Sequence, residues 1–269
     1  MDNSWSSAGL ADIILRLRAS GSVFAEEEAA LLVAEATDAV HLESLVSGRV
    51  DGQPLEYLVG WAEFAGIRMH VEPGVFVPRH RTEFLVREAV ARGGDAPRVL
   101  DLCCGTGALG AVILAAVPGA ELVAADIDPA AVRSARLNLP AGTRVYEGDL
   151  FAAIPGELRG WFDVIVANTP YVPTDAIALM PPEARLHEAR WALDGGSDGL
   201  DLQRRVAGEA PVWLAPGGWL FMEASEHQAP VSAGILTAAG LEARVDYSDD
   251  FESTVVSGRL PVDPSSARR

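Results

Sequence analysis

"VLDLCCGTGALGAVI", residues 99–113, decides how the rest of this chain is read. An apolar run leads into a glycine-rich turn and out into a second apolar run. Gly105, Gly107 and Gly110 fit the pattern G-x-G-x-x-G of a strand, a tight turn and a helix start. The glycines there let the backbone come close to a bound group. Asp126 follows about 20 residues later, where an acid meets a ribose diol. A nicotinamide dinucleotide and S-adenosylmethionine (SAM) both present that ribose, so the turn alone leaves both open.

Outward from this turn the pattern repeats. "RVLDLCC" is followed by a helix over 107–117, "ELVAADI" by a helix over 129–138, then come "RVYEGDL" and "FDVIVAN". Strand and helix alternate, which predicts an α/β fold: a Rossmann-like, mostly parallel sheet with helices on both faces. Further on lie a helix around 198–209, the strand "GWLFMEA", a helix around 228–239, and the runs "EARVDYS" and "FESTVVSGR". The last two are close enough in sequence to pair antiparallel at an edge. The tail "PVDPSSARR" reads as frayed.

Ligands of open α/β sheets bind at the carboxyl ends of the strands. Asp101 lies inside the first strand, four residues before Gly105, and Asp126 and Asp149 close the next two. A pyrophosphate is repelled by a carboxylate so near its turn, whereas the methionine ammonium of SAM is attracted. The expectation is three acids on one rim, meeting an ammonium, a ribose diol and an adenine amino group. The plainer alternative is ordinary loop acids in an acidic chain.

The fourth strand ends in "ANTPYVP". An amide nitrogen is a poor nucleophile because its lone pair is delocalised. Two acceptors on its N–H bonds would fix it, turn the lone pair toward a methyl donor and offset the charge growing on nitrogen. Asn168 offers its side-chain oxygen and Thr169 its carbonyl, which Pro170 holds in extended geometry. Tyr171 offers a ring face to a planar group. A plain turn is the alternative, since Asn, Thr and Pro are common punctuation.

Composition narrows the function. The chain has 269 residues, 49% of them hydrophobic, and a net charge of −17. Such acidity disfavours nucleic acid as a partner. All 21 basic residues are arginine. Without lysine there is no Schiff-base, P-loop or kinase-strand lysine chemistry. Cys103 and Cys104 are adjacent and the five histidines are scattered, so neither a disulfide framework nor a zinc site is expected. No apolar run is long enough to span a bilayer and the first residues lack a secretory pattern, so a soluble cytoplasmic protein is expected.

The first 78 residues carry 4 arginines and 12 acids. "ADIILRLRAS", "EEEAALLVAEA" and "AVHLESLVSG" read as short amphipathic helices, the second with three acids at its positive dipole end. Asp38 is expected to cap the third, which ends at Gly48. "GIRMHVE" alternates as a strand and pairs with the segment near Trp61 to Phe64. The region is expected to be a solvated helical cap, or else a docking surface for a basic partner. "GGSDG", residues 195–199, matches the G-x-S-x-G nucleophile elbow with His227 downstream, but no strand leads into Ser197. A glycine-rich loop ending in a helix cap at Ser197 or Asp198 fits better.

With these residues in place the chain resembles the HemK/PrmC family of protein-(glutamine-N5) methyltransferases that modify peptide release factors. The resemblance runs through "GQPLEYLVGWAEFAG", "VPRHRTEFLV", "DLCCGTGALG", "GDLF", "ANTPY", "PEARLHEARWALDGGSDGLDLQRRV" and "LAPGGWLFMEASEHQ". It implies a class I methyltransferase domain over 79–269, preceded by a helical domain and hairpin linker over 1–78. It implies SAM held by Cys103, Cys104, Gly105, Thr106, Gly107, Asp126 with Ile127 beside it, Asp149, Leu150 and Asn168, and Asp101 is expected to bind the cofactor with them. It implies a glutamine side chain held by Asn168 through Tyr171, and a release factor or another glutamine-bearing protein as substrate. It also places "GGSDGL" in a family loop, which removes the hydrolase reading.

Three departures stand out. The family's NPPY reads NTPY, with Thr169 in place of proline. The first loop glycine is Cys103. The PRPETE segment reads PRHRTE, so His80 and Arg81 replace a proline and an acid. Methylation of a nucleic-acid base by the same corner and a SAM-binding paralogue without catalysis therefore stand as alternatives.

Overall fold

The computed structural model describes residues 7–262; the frayed-tail expectation falls largely, and the reading of the first residues in part, outside them. Four helices open the chain: α1 (Ser7–Ala19), α2 (Ala25–Glu35), α3 (Ala39–Val50) and α4 (Leu55–Val59). Asp38 caps α3, accepting from the His41 amide at 2.8 Å. The helix does not stop at Gly48 but runs to Val50. Gly48 serves close packing instead, since a Cβ there would stand 2.7 Å from Leu58. Leu17, Leu32, Leu45 and Val46 form a core of their own. Arg49 donates to both oxygens of nearly buried Glu28, at 2.9 and 2.8 Å, and so ties α3 to α2.

Next comes a hairpin of β1 (Trp61–Phe64) and β2 (Ile67–His70) in the expected antiparallel pairing. After a short 3-10 turn at His80–Thr82 the chain enters α5 (Glu83–Gly93). The alternating part then unrolls as β3 (Arg98–Leu102), α6 (Ala108–Ala116), β4 (Glu121–Asp126), α7 (Pro129–Asn138), β5 (Arg144–Glu147) and β6 (Phe162–Ala167). The short α8 (Pro182–His187) precedes α9 (Asp201–Trp213), β7 (Leu214–Ala224), α10 (Ala229–Ala238), β8 (Glu242–Ser248) and β9 (Ser253–Arg259).

Seven strands form one sheet in the order β5-β4-β3-β6-β7-β9-β8, parallel from β5 to β7. The last two strands pair antiparallel as expected, with β8 at the edge and β9 against β7. The order reverses at β3, whose neighbours are β4 and β6. That is the switch point where open α/β sheets leave a crevice at the strand ends. Two apolar clusters cover the sheet faces, one around Leu100, Ile165 and Met222, the other around Val99, Val164 and Phe221. Adjacent residues of one strand thus face opposite layers, as period-2 geometry requires. Among the described residues no helix is long and apolar enough to cross a membrane.

Candidate active site

A cavity of about 800 Å³ opens at the carboxyl ends of β3, β4 and β6. Its wall includes Cys103 through Thr106, Asp126, Ile127, Asp149, Leu150 and the whole corner from Asn168 to Tyr171. The structure therefore brings the glycine-rich turn and the NTPY corner to one space.

The turn owes its shape to backbone conformation. Cys103, Gly105 and Gly107 all have positive φ, at 57°, 53° and 76°. Cys103 thus carries a side chain in the left-handed region that favours glycine, the residue the family has there. No described residue comes within 4 Å of where a Cβ on Gly105 would sit, so that face is open beside the cavity. Gly110 matters for packing instead. A Cβ there would stand 2.6 Å from Leu122 and 3.2 Å from Asp101 Oδ2, so its absence lets α6 settle on the sheet.

The three acids separate into two kinds. Asp126 holds the turn, accepting from the Gly105 amide at 2.8 Å and from the Asp128 amide at 2.9 Å. Burial pushes its carboxyl up and those amides partly offset it. Asp149 is half-exposed and paired with Arg205 at 2.8 Å. Asp101 corrects the expectation of three rim acids. It is fully buried, absent from the cavity wall, and accepts from the Gly110 amide at 3.0 Å. Its other oxygen has no partner among the described residues. Burial raises its pKa to about 8, with the Gly110 amide opposing and Asp126 adding. Two acids line the rim and a third lies beneath it, bonded to α6.

At the corner, the Asn168 Nδ2 is 3.5 Å from the Thr82 hydroxyl. That leaves the side-chain oxygen as the end of the amide not turned to Thr82. Thr169 is buried and its hydroxyl has no partner among the described residues. Tyr171 donates to Glu223 Oε1 at 2.7 Å, and burial keeps its phenol protonated. Arg81 donates to the same oxygen at 3.1 Å.

The backbone of the corner is clamped from behind. Gln228 Nε2 donates to the carbonyls of Tyr171, at 2.9 Å, and Asp198, at 3.0 Å. Gly195 and Gly199 pack against the carbonyls of Pro170 and Tyr171 with no room for a Cβ. This is the work of the "GGSDG" loop. Ser197 is exposed in a bend with no strand leading to it. Neither Ser197 nor Asp198 caps α9, whose N-cap is Leu200; Asp198 instead accepts from the Leu200 amide and pairs with Arg204. Helix α9 also starts three residues later than expected and runs to Trp213.

Sequence reasoning missed the Arg81–Glu223–Tyr171 group, the Gln228 clamp and the Arg205 partner of Asp149. One signal was present for the first: Glu223 is an acid inside an apolar strand. Its partner lies 142 residues away, beyond any local pattern.

A seven-stranded sheet of this order, with a glycine turn and an acid-lined cleft at its switch point, defines a class I SAM-dependent methyltransferase fold. The family model for the Methyltransferase small domain matches residues 66–200. A curated relative from Geobacter sulfurreducens, a release factor glutamine methyltransferase, is 41% identical over 80% of this chain and 76% of its own length. Another, from Streptomyces pristinaespiralis, is 37% identical over 72% of this chain and 69% of its own; it is a 4-amino-L-phenylalanine/4-methylamino-L-phenylalanine methyltransferase. Among solved structures, a methyltransferase from Pyrococcus furiosus superimposes with a TM-score of 0.56 at 17% identity, covering 74% of this chain and 91% of its own. The chain belongs to the release factor glutamine methyltransferase family.

Proposed function

We propose that this enzyme transfers the methyl group of SAM to the side-chain amide nitrogen of a glutamine in a protein, a peptide chain release factor being the first candidate. The carrying observation is that the glycine-rich turn and the Asn168–Tyr171 corner wall the same cavity. The residues suit the cofactor: an open glycine face at 105, two acids on the rim and backbone held at close approach. In this reading Cys103 through Gly107, Asp126, Ile127, Asp149, Leu150 and Asn168 hold SAM, which supplies an electrophilic methyl on a sulfonium. Asp101 supports that loop from beneath.

The corner does the rest. Asn168 Oδ1 and the Thr169 carbonyl accept the two amide hydrogens, which fixes the nitrogen and stabilises the charge that grows on it. Pro170 and the Gln228 clamp keep that backbone still. Tyr171 lies alongside with its hydroxyl spent on Glu223, so its ring rather than its phenol faces the acceptor. No strong base is needed, because the proton becomes acidic only as the methyl arrives.

Residues 1–78 serve in this reading as a helical domain with its hairpin linker, and 79–269 as the catalytic domain of a cytoplasmic enzyme. A second reading rests on the Streptomyces relative, whose name gives 4-amino-L-phenylalanine and 4-methylamino-L-phenylalanine as what it methylates. Incubation with labelled SAM and full-length release factor separates the two. Label on a glutamine side chain supports the proposal; label on 4-aminophenylalanine alone, or on nucleic acid, overturns it.

A further inference from the structure

Arg81 stands where the family has an acid, and the structure puts it on the cavity wall. Its Nε donates to Glu223 Oε1, the oxygen that also receives the Tyr171 hydroxyl. Glu223 is 2% exposed on its side chain, whereas the Arg81 side chain remains 49% exposed. The guanidinium carbon lies 5.9 Å from the Tyr171 ring centre. Arg81 is therefore anchored by one edge to a buried carboxylate, beside the ring along which an acceptor lies.

The other arginines of this wall have different postings. Arg79 pairs with buried Glu188, Arg205 with Asp149, and Arg190 with Asp194. None of these is bonded to the Asn168–Tyr171 corner. Arg81 is, through Glu223. A planar fork held by Nε presents its remaining donors in fixed directions, which suits a second carboxylate. An acid at this position would repel that same group.

We infer that Arg81 is a specificity-determining residue that reads a carboxylate on the acceptor molecule, close to the nitrogen that receives the methyl. This rests on the transfer reading above for where the acceptor lies. The carboxylate has two chemical sources: an acidic side chain next to the target glutamine, or the free α-carboxylate of an amino acid.

The test is binding to the full chain saturated with S-adenosylhomocysteine, measured by saturation-transfer NMR titration. One probe pair is a capped tetrapeptide Ala-Gln-Asp-Ala against Ala-Gln-Asn-Ala. The other is 4-aminophenylalanine against its α-carboxamide. The expected result is that the carboxylate member of one pair binds about tenfold tighter, as one charge-assisted hydrogen bond allows. Which pair shows it identifies the source. Arg81→Gln is expected to erase the preference and Arg81→Glu to reverse it, with affinity for S-adenosylhomocysteine unchanged. Because Arg81→Gln alone leaves Glu223 buried without its cation, the double variant Arg81→Gln/Glu223→Gln is measured beside it and is expected to show the same loss.

Equal binding within both pairs, undetectable binding included, overturns the inference. So does a preference that survives both Arg81→Gln variants, or a fall in S-adenosylhomocysteine affinity, which would assign the guanidinium to the cofactor. Turnover with labelled SAM is read in parallel samples of the same proteins and probes without S-adenosylhomocysteine. A carboxylate preference without methyl transfer to glutamine sinks the amide-transfer reading and leaves the role of Arg81 standing.

Discussion

Asp101 is fully buried, and one of its oxygens is without a partner among the described residues. Its position in the strand was legible, and so was its acidity. Depth was not. Val99 and Asp101 share a face of β3, and that face lies under α6 rather than at the open strand end. The consequence for stability has a definite sign. The folded pKa is raised from 3.8 to about 8, so between those values the folded chain keeps a proton that the unfolded chain has lost. Stability is then lost as pH rises through that window. Asp101→Asn keeps an acceptor for the Gly110 amide and has no charge to bury. Urea denaturation near pH 5 and near pH 9 is expected to show a smaller loss for the variant than for the parent, by at least about 1 kcal/mol. An equal loss in both would remove Asp101 as the cause.

The elements around the corner were read more easily than their contacts. The alternation of strands and helices from 98 to 168 was plain in the apolar runs, because β3, β4 and β6 are buried on both faces and each helix on one. What "GGSDG" does was not. The glycines at 195 and 199 are required by carbonyls of the corner, which no spacing rule connects to them. A methyl group at position 199, where φ is +79°, would collide with the Tyr171 carbonyl and with Gln228 Nε2. Gly199→Ala is expected to cost about 2 kcal/mol or more in thermal or chemical denaturation, from backbone strain and displacement together. It is also expected to lower the turnover rate far more than the affinity for S-adenosylhomocysteine. A variant with lowered cofactor affinity and unaltered turnover would mean that the loop supports the SAM side of the cavity instead.

The whole molecule has more than one core. The first helices pack on Leu17, Leu32 and Val46, while the sheet carries its own two layers. Gly48 illustrates why the boundary of α3 was misread: a residue that often ends a helix is needed here because Leu58 packs onto it. The buried Arg49–Glu28 pair lies outside the cavity wall, and Arg49 also reaches from this first core to Glu183 of α8 at 3.3 Å. Removing its cation by Arg49→Ala leaves an uncompensated buried carboxylate, at a cost of about 3 kcal/mol. Two transitions in place of one, with unchanged binding of S-adenosylhomocysteine, are expected in calorimetry. A loss of cofactor binding in step with the first transition would show that the helices support the catalytic cavity directly.

In the proposed reaction Asn168 orients the receiving nitrogen inside the cavity that houses the donor, and everything else at the site serves that placement. The decisive measurement is mass spectrometry of full-length release factor after incubation with deuteromethyl-SAM. With the parent enzyme, one deuteromethyl group is expected on a glutamine side-chain nitrogen. With Asn168→Ala, the rate is expected to fall by about 100-fold or more while S-adenosylhomocysteine still binds. Modification of a different side chain, or parental turnover by Asn168→Ala, would refute this role for Asn168.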